Sequence, residues 1–510
     1  MTLNWMDFLT FGGFFAIVIA ISLYKSRDEK TSKDYFLAGR GLGFWLIGLS
    51  LIASNISTEH FVGMAGAGYG GLGLAVANYE WMAAVTLVFV ALFLLPRFLR
   101  SGIYTIPEFL EYRYNPASRA IMATFMMIMY VAVALASILY SGAIGLKTIF
   151  GMDLTMAVWL IGIIAGAYTI YGGLKAVVWT DLFQGTALLI GGAIVLVLGL
   201  KAVGGVSVFL ETNADKLHMI LPASHPELPW TALILGLWIP NIFYWGLNQF
   251  IVQRTLGAKS LQEGQKGIML AAGLKLIIPF IIVFPGIIAF QLYSGQIASG
   301  DQAYPTLIRE IIPMGLRGIM FAALFGAVLS SLDSMLNSAS TIFTMDLYKR
   351  HFRKSASAEK LVKVGRFMTA VFVLIACFIA PFLGDPRFGG IFKYIQMFQG
   401  FISPGIVTVF LFGLVIRKAP SSAAISAMLG NVVIYGMLLW IFPDISFLNH
   451  MAITFIILVL LMAVITIFKP LPEPVKMPVN KEVDVTPSSQ AKVAGIGIIV
   501  ITVILYIIFW

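Results

Sequence analysis

Five ionisable side chains fall inside long apolar stretches of this sequence: Glu59, Glu80, Asp181, Lys275 and Asp333. A charge at the middle of a bilayer costs about 2.5–3.5 kcal/mol on insertion scales, so each must pair or face a wet cavity. For Asp181, which follows Trp179-Thr180 at the start of its stretch, a place at the membrane surface is an equal reading. Glu59 belongs to a polar series, Ser54-Asn55-Ile56-Ser57-Thr58-Glu59-His60, that follows Ala53, and a later stretch carries Ile239-Pro240-Asn241-Ile242. A third segment, Ala327-Val328-Leu329-Ser330-Ser331-Leu332-Asp333-Ser334, sets positions 327, 330, 331, 334 and 338 on one helix face. Hydroxyls of this kind, added to carbonyls released by an interrupted helix, would make an all-oxygen site for a hard monovalent cation such as sodium. A serine face alone also serves as glue between packed helices. There is no metal-spaced His cluster, nucleotide loop or nucleophile elbow, so no catalytic residues are assigned and an enzyme is not expected.

These residues must be positioned by membrane-spanning helices. Of 510 residues, 59% are hydrophobic and 11% charged, against about a quarter charged in soluble domains. Apolar stretches of about 20 residues recur along the chain, enough to cross a bilayer, and backbone in hydrocarbon must be helical. The expected architecture is an all-α membrane protein, a single domain over residues 1–510 with about fourteen transmembrane helices, the first over residues 5–24. Its net charge of +10 sits in short clusters beside the spans, which reads as topology rather than nucleic-acid binding. With the basic connections inside, both termini are expected on the extracellular or periplasmic side of a plasma (inner) membrane. The polar segment 470–490 reads as a cytoplasmic linker, Asp301, Tyr304 and Arg309 as external surface, and the lone cysteine, Cys377, as packing.

The second and seventh spans are the two with polar or proline interruptions, and they lie five spans apart, so they cross in opposite senses. Paired broken helices in inverted halves are the best sequence pointer to a transporter's central site. Residues 42–204 and 230–416 are therefore expected to form two five-helix inverted repeats, with 421–510 as additional C-terminal helices. Breaks are expected near Asn55 and at Pro240-Asn241.

Ordered motifs along nearly the whole chain carry a family resemblance. They include Asp34-Tyr35-Phe36-Leu37-Ala38-Gly39-Arg40, Ser54 to Met64, Tyr79-Glu80-Trp81-Met82, Tyr104-Thr105-Ile106-Pro107-Glu108-Phe109, Tyr171-Gly172-Gly173-Leu174, Trp179-Thr180-Asp181, Asn248-Gln249, Gln253-Arg254 and Asn337-Ser338. The chain resembles the sodium/solute symporter family, most nearly its sodium/glucose and sodium/galactose cotransporters. The resemblance implies a leucine-transporter-type 5+5 core and sodium-coupled uptake of a hexose by alternating access. It also implies a sodium site from the carbonyls of Ala53, Ile56 and Ala327 and the hydroxyls of Ser330 and Ser331. Sugar contacts carry over onto His60, Glu80, Asn241, Lys275 and Gln396, with Tyr244 stacking on the ring and gating the cytoplasmic side; Met64, Tyr79 and Phe392 match the outer gate. Asp333 departs from the family pattern, either joining Asp181 and Ser334 in a second cation site or making a buried hydrogen bond. An inositol or sialic acid symporter, and a sodium-dependent sugar sensor without obligatory transport, are the competing expectations.

Overall fold

The structure, a computed structural model, describes residues 5–26, 37–57, 59–170, 174–313, 316–384, 391–480 and 483–510. Asp34-Tyr35-Phe36, Thr58 and Tyr171-Gly172-Gly173 of the sequence motifs lie outside them. The regular elements of the described residues are all helices, with only isolated bridges such as Leu42 to Ala258 in place of strands.

The first half holds α1 (Trp5–Ser26), α2 (Phe44–Asn55), α3 (Ala65–Tyr69), α4 (Gly73–Ser101), α5 (Pro116–Lys147), α6 (Leu154–Thr169) and α7 (Leu174–Ala202). The second holds α8 (Trp230–Leu247), α9 (Gln249–Leu256), α10 (Leu261–Tyr293), α11 (Leu316–Phe352), α12 (Ala358–Gly384), α13 (Ile391–Gln399) and α14 (Ser403–Val415). After these come α15 (Ser421–Ile441), α16 (Phe447–Phe468) and α17 (Ser489–Ile508).

Ten helices among the described residues are long and apolar enough to cross a membrane, and eleven if α13 and α14, bent by 42°, are one span. Three of the fourteen expected spans fall outside this tally. The second is cut after Asn55, the fifth is a shorter apolar helix over Leu154–Ala167, and several side chains of α1 lie outside the described residues. At the centre, α2 and α7 pack on each other and both pack on α10 and α11. The apolar stretch of α11 is 94% buried, against 22% for α17, so the serine face of α11 looks onto protein rather than lipid.

Both interruptions are physical, but only one stands where the sequence suggested. Helix α2 ends at Asn55, Ile56 leaves the helical region at φ −76°, ψ 88°, and a π turn over Glu59–Met64 restarts the helix into α3. The Ser57 amide turns back to Asn55 O (2.9 Å) and the His60 amide to Ser57 O (3.0 Å). Those amides would cap the carbonyls of Ala53 and Ile56 in an unbroken helix. Both carbonyls thus lose their helical donors.

Along α8 the helix Trp230–Leu235 ends in a turn at Gly236-Leu237 and restarts at Trp238; it stays helical through Pro240 and Asn241 until Asn248, which is extended at φ −90°, ψ 119° between a π turn and α9. The expected break at Pro240-Asn241 is corrected accordingly. Pro240 falls in the first turn of Trp238–Ile242, where amides have no helical acceptor and proline removes nothing.

Glycines let the segment after the first break sit close to its neighbours. A Cβ on Gly286 of α10 would lie 2.1 Å from Ala65 O, and one on Gly66 would lie 2.8 Å from the Gly300 backbone. Tyr304, expected at the surface, is instead fully buried, its ring 4.8 Å from that of Phe61. The amphipathic helix Ala303–Ile311 that carries it faces inward.

Candidate functional site

A cavity of about 60 Å³ lies between the two broken segments. Because one water needs about 10–15 Å³, it has room for a few waters only. Its wall includes His60 and Met64 after the first break, Tyr79 and Glu80 from α4, Asn241 and Tyr244 from α8, and Phe392 and Gln396 from α13. Four elements distant in sequence therefore deliver eight of the nine expected substrate and gate residues to one place. The ninth, Lys275 of α10, is fully buried behind the wall, its ammonium bonded to Glu80 Oε2 and Asn55 Oδ1 and 4.8 Å from the Trp245 ring centre.

The polar groups of the wall form a chain. His60 Nε2 lies 3.4 Å from Glu80 Oε1, and Asn55 Nδ2 donates to the Tyr244 hydroxyl at 2.9 Å. His60 Nδ1 has no hydrogen-bond partner among the described residues although the residue is only 8% exposed. An unsatisfied buried donor or acceptor costs about 1–3 kcal/mol, which a ligand hydroxyl would recover. On one side Tyr79 and Phe392 meet edge to face at 5.0 Å, and on the other Tyr244 packs against Phe250 at 5.4 Å. Aromatic lids thus bound the cavity at two ends.

Beyond Asn55 lies a second cluster, made where α2, α7, α9 and α11 converge. Asp181 of α7, fully buried, accepts from Ser330 through Oδ1, and from Ser50 (2.5 Å), Ser54 (3.1 Å) and Arg254 Nη2 (3.1 Å) through Oδ2. Arg254 of α9 also donates to Ser50 (2.6 Å), Ser54 and Ser334. Ser331 donates to Ser54 O at 3.4 Å, so α11 reaches the break in α2. A Cβ on Gly185 of α7 would come 2.7 Å from Ala53 Cβ, which holds the backbone of Ala53 against α7. Ala53, Ile56, Ala327, Ser330 and Ser331 are all buried, and the break turns two of their carbonyls away from helical donors.

Asp333 goes elsewhere. Its Oδ1 accepts from Thr169 of α6, whereas Asp181 and Ser334, the other two residues expected in a possible second cation site, share the Arg254 guanidinium. One position along a helix turns a side chain by about 100°, which separates Asp333 from Ser334. Among the described residues no group of three His, Cys, Asp or Glu side chains could hold a metal ion. The geometry offers hydroxyls and carbonyls instead.

The sodium:solute symporter family model matches residues 35–430. This chain belongs to that family. The symporter is 41% identical to a sodium/glucose cotransporter of Vibrio parahaemolyticus, over all of this chain and 99% of the relative. It is 34% identical to a sodium/myo-inositol cotransporter 2 of Sus scrofa, over 84% of this chain and 69% of that one. A solved Na+-coupled sialic acid symporter in a substrate-bound outward-open state superposes with a TM-score of 0.81 at 24% identity, covering 93% of this chain and 99% of that one. The protein is a sodium-coupled solute symporter with a leucine-transporter-like fold, a transporter and not an enzyme. Sodium is its co-substrate.

The symporter's cavity also includes Asn55, Pro240, Trp245, Ile395 and Gln399, none of them expected as substrate contacts. Helical spacing could have found three: Trp245 follows Asn241 by four, and Ile395 and Gln399 follow Phe392 by three and seven. Arg254 was visible only as part of a motif. Its partners Ser50, Asp181 and Ser334 lie at least 73 residues away, and no local pattern reports them.

Proposed function

We propose that this symporter couples inward sodium movement to the uptake of a neutral hexose, such as galactose or glucose, by alternating access across the plasma (inner) membrane. The observation that carries the reading is the state of charge in the cavity. Lys275 is already bonded to Glu80 and Asn55, so the wall offers a solute an imidazole, amides and aromatic faces rather than an open cation. A hexose has a rim of hydroxyls for such groups and an apolar ring face for Tyr244. A carboxylate solute would find its natural partner engaged.

Sodium in this reading binds the carbonyls of Ala53, Ile56 and Ala327 and the hydroxyls of Ser330 and Ser331. It steadies the broken α2 segment, which presents His60 and Met64 to the sugar. Met64, Tyr79 and Phe392 close the outer path and Tyr244 the inner one. Inward sodium movement is favoured by about 2.3 kcal/mol per 100 mV. The working frame is two inverted five-helix repeats, about fourteen spans and both termini outside. At Asp181 and Ser334 the Arg254 guanidinium takes the place of a second cation, and Asp333 serves as a hydrogen-bond acceptor.

A cyclic polyol is the second reading, since a relative named as a myo-inositol cotransporter is 34% identical and a polyol has the same hydroxyl rim. Counterflow in proteoliposomes with galactose, glucose, myo-inositol and sialic acid distinguishes them. Preference for a hexose is expected, and preference for the acid over every neutral solute would overturn the proposal.

Two substitutions test the separation of the sites. Ser331→Ala removes one ligand, about 1–1.5 kcal/mol, so half-saturating sodium should rise about tenfold while half-saturating sugar at high sodium moves less than about twofold. Gln396→Ala should show the reverse, a rise of about tenfold for sugar with little direct change for sodium. Initial uptake rates over a grid of both concentrations measure each effect, and equal shifts for both ligands in both variants would contradict the assignment.

A further inference from the structure

Away from the central cavity, an opening of about 580 Å³ lies at the basic end of the bundle, walled by the end of α4, helix Ile106–Arg113, the end of α14 and the segment after α16. Five cations line it, Arg97, Arg100, Arg113, Arg417 and Lys476, and no Asp or Glu does. Arg113 is the informative one. Only 3% exposed, it donates to the carbonyls of Gly413 (2.7 Å), Ile416 (2.7 Å) and Ala419 (3.2 Å), and no carboxylate lies within ion-pair distance of it among the described residues. The acids of its own helix are engaged elsewhere: Glu111 pairs with Arg119 (2.9 Å) and Arg350 (2.6 Å), and Glu108 lies 4.0 Å from Arg119. A buried cation solvated by carbonyls but lacking a countercharge is an incomplete arrangement. An anion completes it.

The surrounding wall says which kind of anion. The segment after α16 is tied down by Leu471 N to Lys418 O (2.9 Å), Val475 N to Arg417 O (3.2 Å) and Asn480 N to Arg100 O (2.7 Å), so it is a fixed side of the opening. Leu414, Met477 and Val479 add apolar surface to the same wall. Val415 and Phe93, one and three residues from lining residues in sequence, are 77% and 51% exposed on helices that span the membrane. Cations beside a lipid-facing apolar flank fit an amphiphile better than a free ion.

We propose that this opening holds the phosphate head group of an anionic phospholipid, with its acyl chains along Phe93 and Val415. The bound lipid would join α4, which carries Tyr79 and Glu80, to α14, which continues the gate helix α13. The proposal does not depend on the identity of the transported solute, and its test reads binding rather than uptake.

The full-length protein in detergent is heated with added phosphatidylglycerol, phosphatidylcholine or inorganic phosphate. Phosphatidylglycerol should raise the unfolding midpoint by about 3 °C through preferential binding to the folded state, with no comparable effect from the other two. Arg100→Gln combined with Arg417→Gln should remove most of that rise, and Lys476→Gln part of it, while Lys354→Gln, at an exposed lysine outside the opening, keeps it. None of these side chains makes a hydrogen bond or ion pair among the described residues, so the lipid-free midpoint should hold. Native mass spectrometry should show phosphatidylglycerol retained on the unaltered protein and lost from the double variant. A full phosphatidylglycerol shift in the double variant, or an equal shift from phosphatidylcholine, would overturn the proposal. An equal shift from inorganic phosphate would assign the site to a free anion and overturn the lipid.

Discussion

Lys275→Met should both destabilise the protein and reduce its apparent sugar affinity by about 10–100-fold, because the cavity residues Asn55 and Glu80 lose the ammonium that orients them, charged hydrogen bonds worth about 1.5–3 kcal/mol. Lys275 and Glu80 are 0% and 3% exposed. Removing one member leaves the Glu80 carboxylate buried with His60 as its remaining partner, and breaking a buried ion pair in this way costs about 3–5 kcal/mol. The double variant Glu80→Gln, Lys275→Met leaves no isolated charge. Its thermal midpoint should recover most of the loss while sugar affinity stays low, because Asn55 and Trp245 have also lost the ammonium that orients them. Thermal unfolding in detergent and equilibrium sugar binding read the two effects separately. A single variant as stable and as tight as the unaltered protein would show that the pair is not where the cavity gets its shape.

The second large effect is expected at Arg254. Its guanidinium binds Ser50, Ser54, Ser334 and Asp181, drawing together α2, α7, α9 and α11. Arg254→Met should cost about 3–5 kcal/mol of stability for the same reason, and Asp181→Asn added to it should restore much of that. The more specific consequence concerns sodium. With the guanidinium gone, the Asp181 carboxylate and the Ser330, Ser54 and Ser334 hydroxyls form an anionic oxygen site, so sodium dependence should become steeper, with a Hill coefficient rising above one. Uptake against sodium at fixed ionic strength measures it. An unchanged Hill coefficient in a folded variant would mean that Arg254 does not stand in for a cation.

How much of this was legible in the sequence depends on the range over which each feature acts. Apolar stretches report on a solvent, so ten spans and the bent pair at α13 and α14 could be read directly. The break after Asn55 was also readable, because Ser54, Asn55 and Ser57 crowd a segment that lipid would not tolerate. Pro240 misled, since proline interrupts a helix only where it displaces a bonded amide, and here it sits in a first turn; the actual break at Asn248 has no proline. Tyr304 misled because the helix around it is short and amphipathic, which suits a surface position as well as one packed inward. The cost of burying Glu80 or Lys275 alone required a partner or water for each, and only the fold pairs them across 195 residues. Arg254 escaped notice because a basic residue near the end of a span is ordinarily a marker of topology.

The most direct test of the coupling between the two sites is a binding measurement on purified protein at equilibrium. Galactose or glucose affinity is measured at low and saturating sodium, and sodium affinity with and without saturating sugar. If the broken α2 segment links an ion at Ala53 and Ser331 to a sugar at His60, each ligand must tighten the other by the same factor. An equal increase in both directions, lost in Ser331→Ala, is the predicted result. Sugar affinity indifferent to sodium would contradict the account.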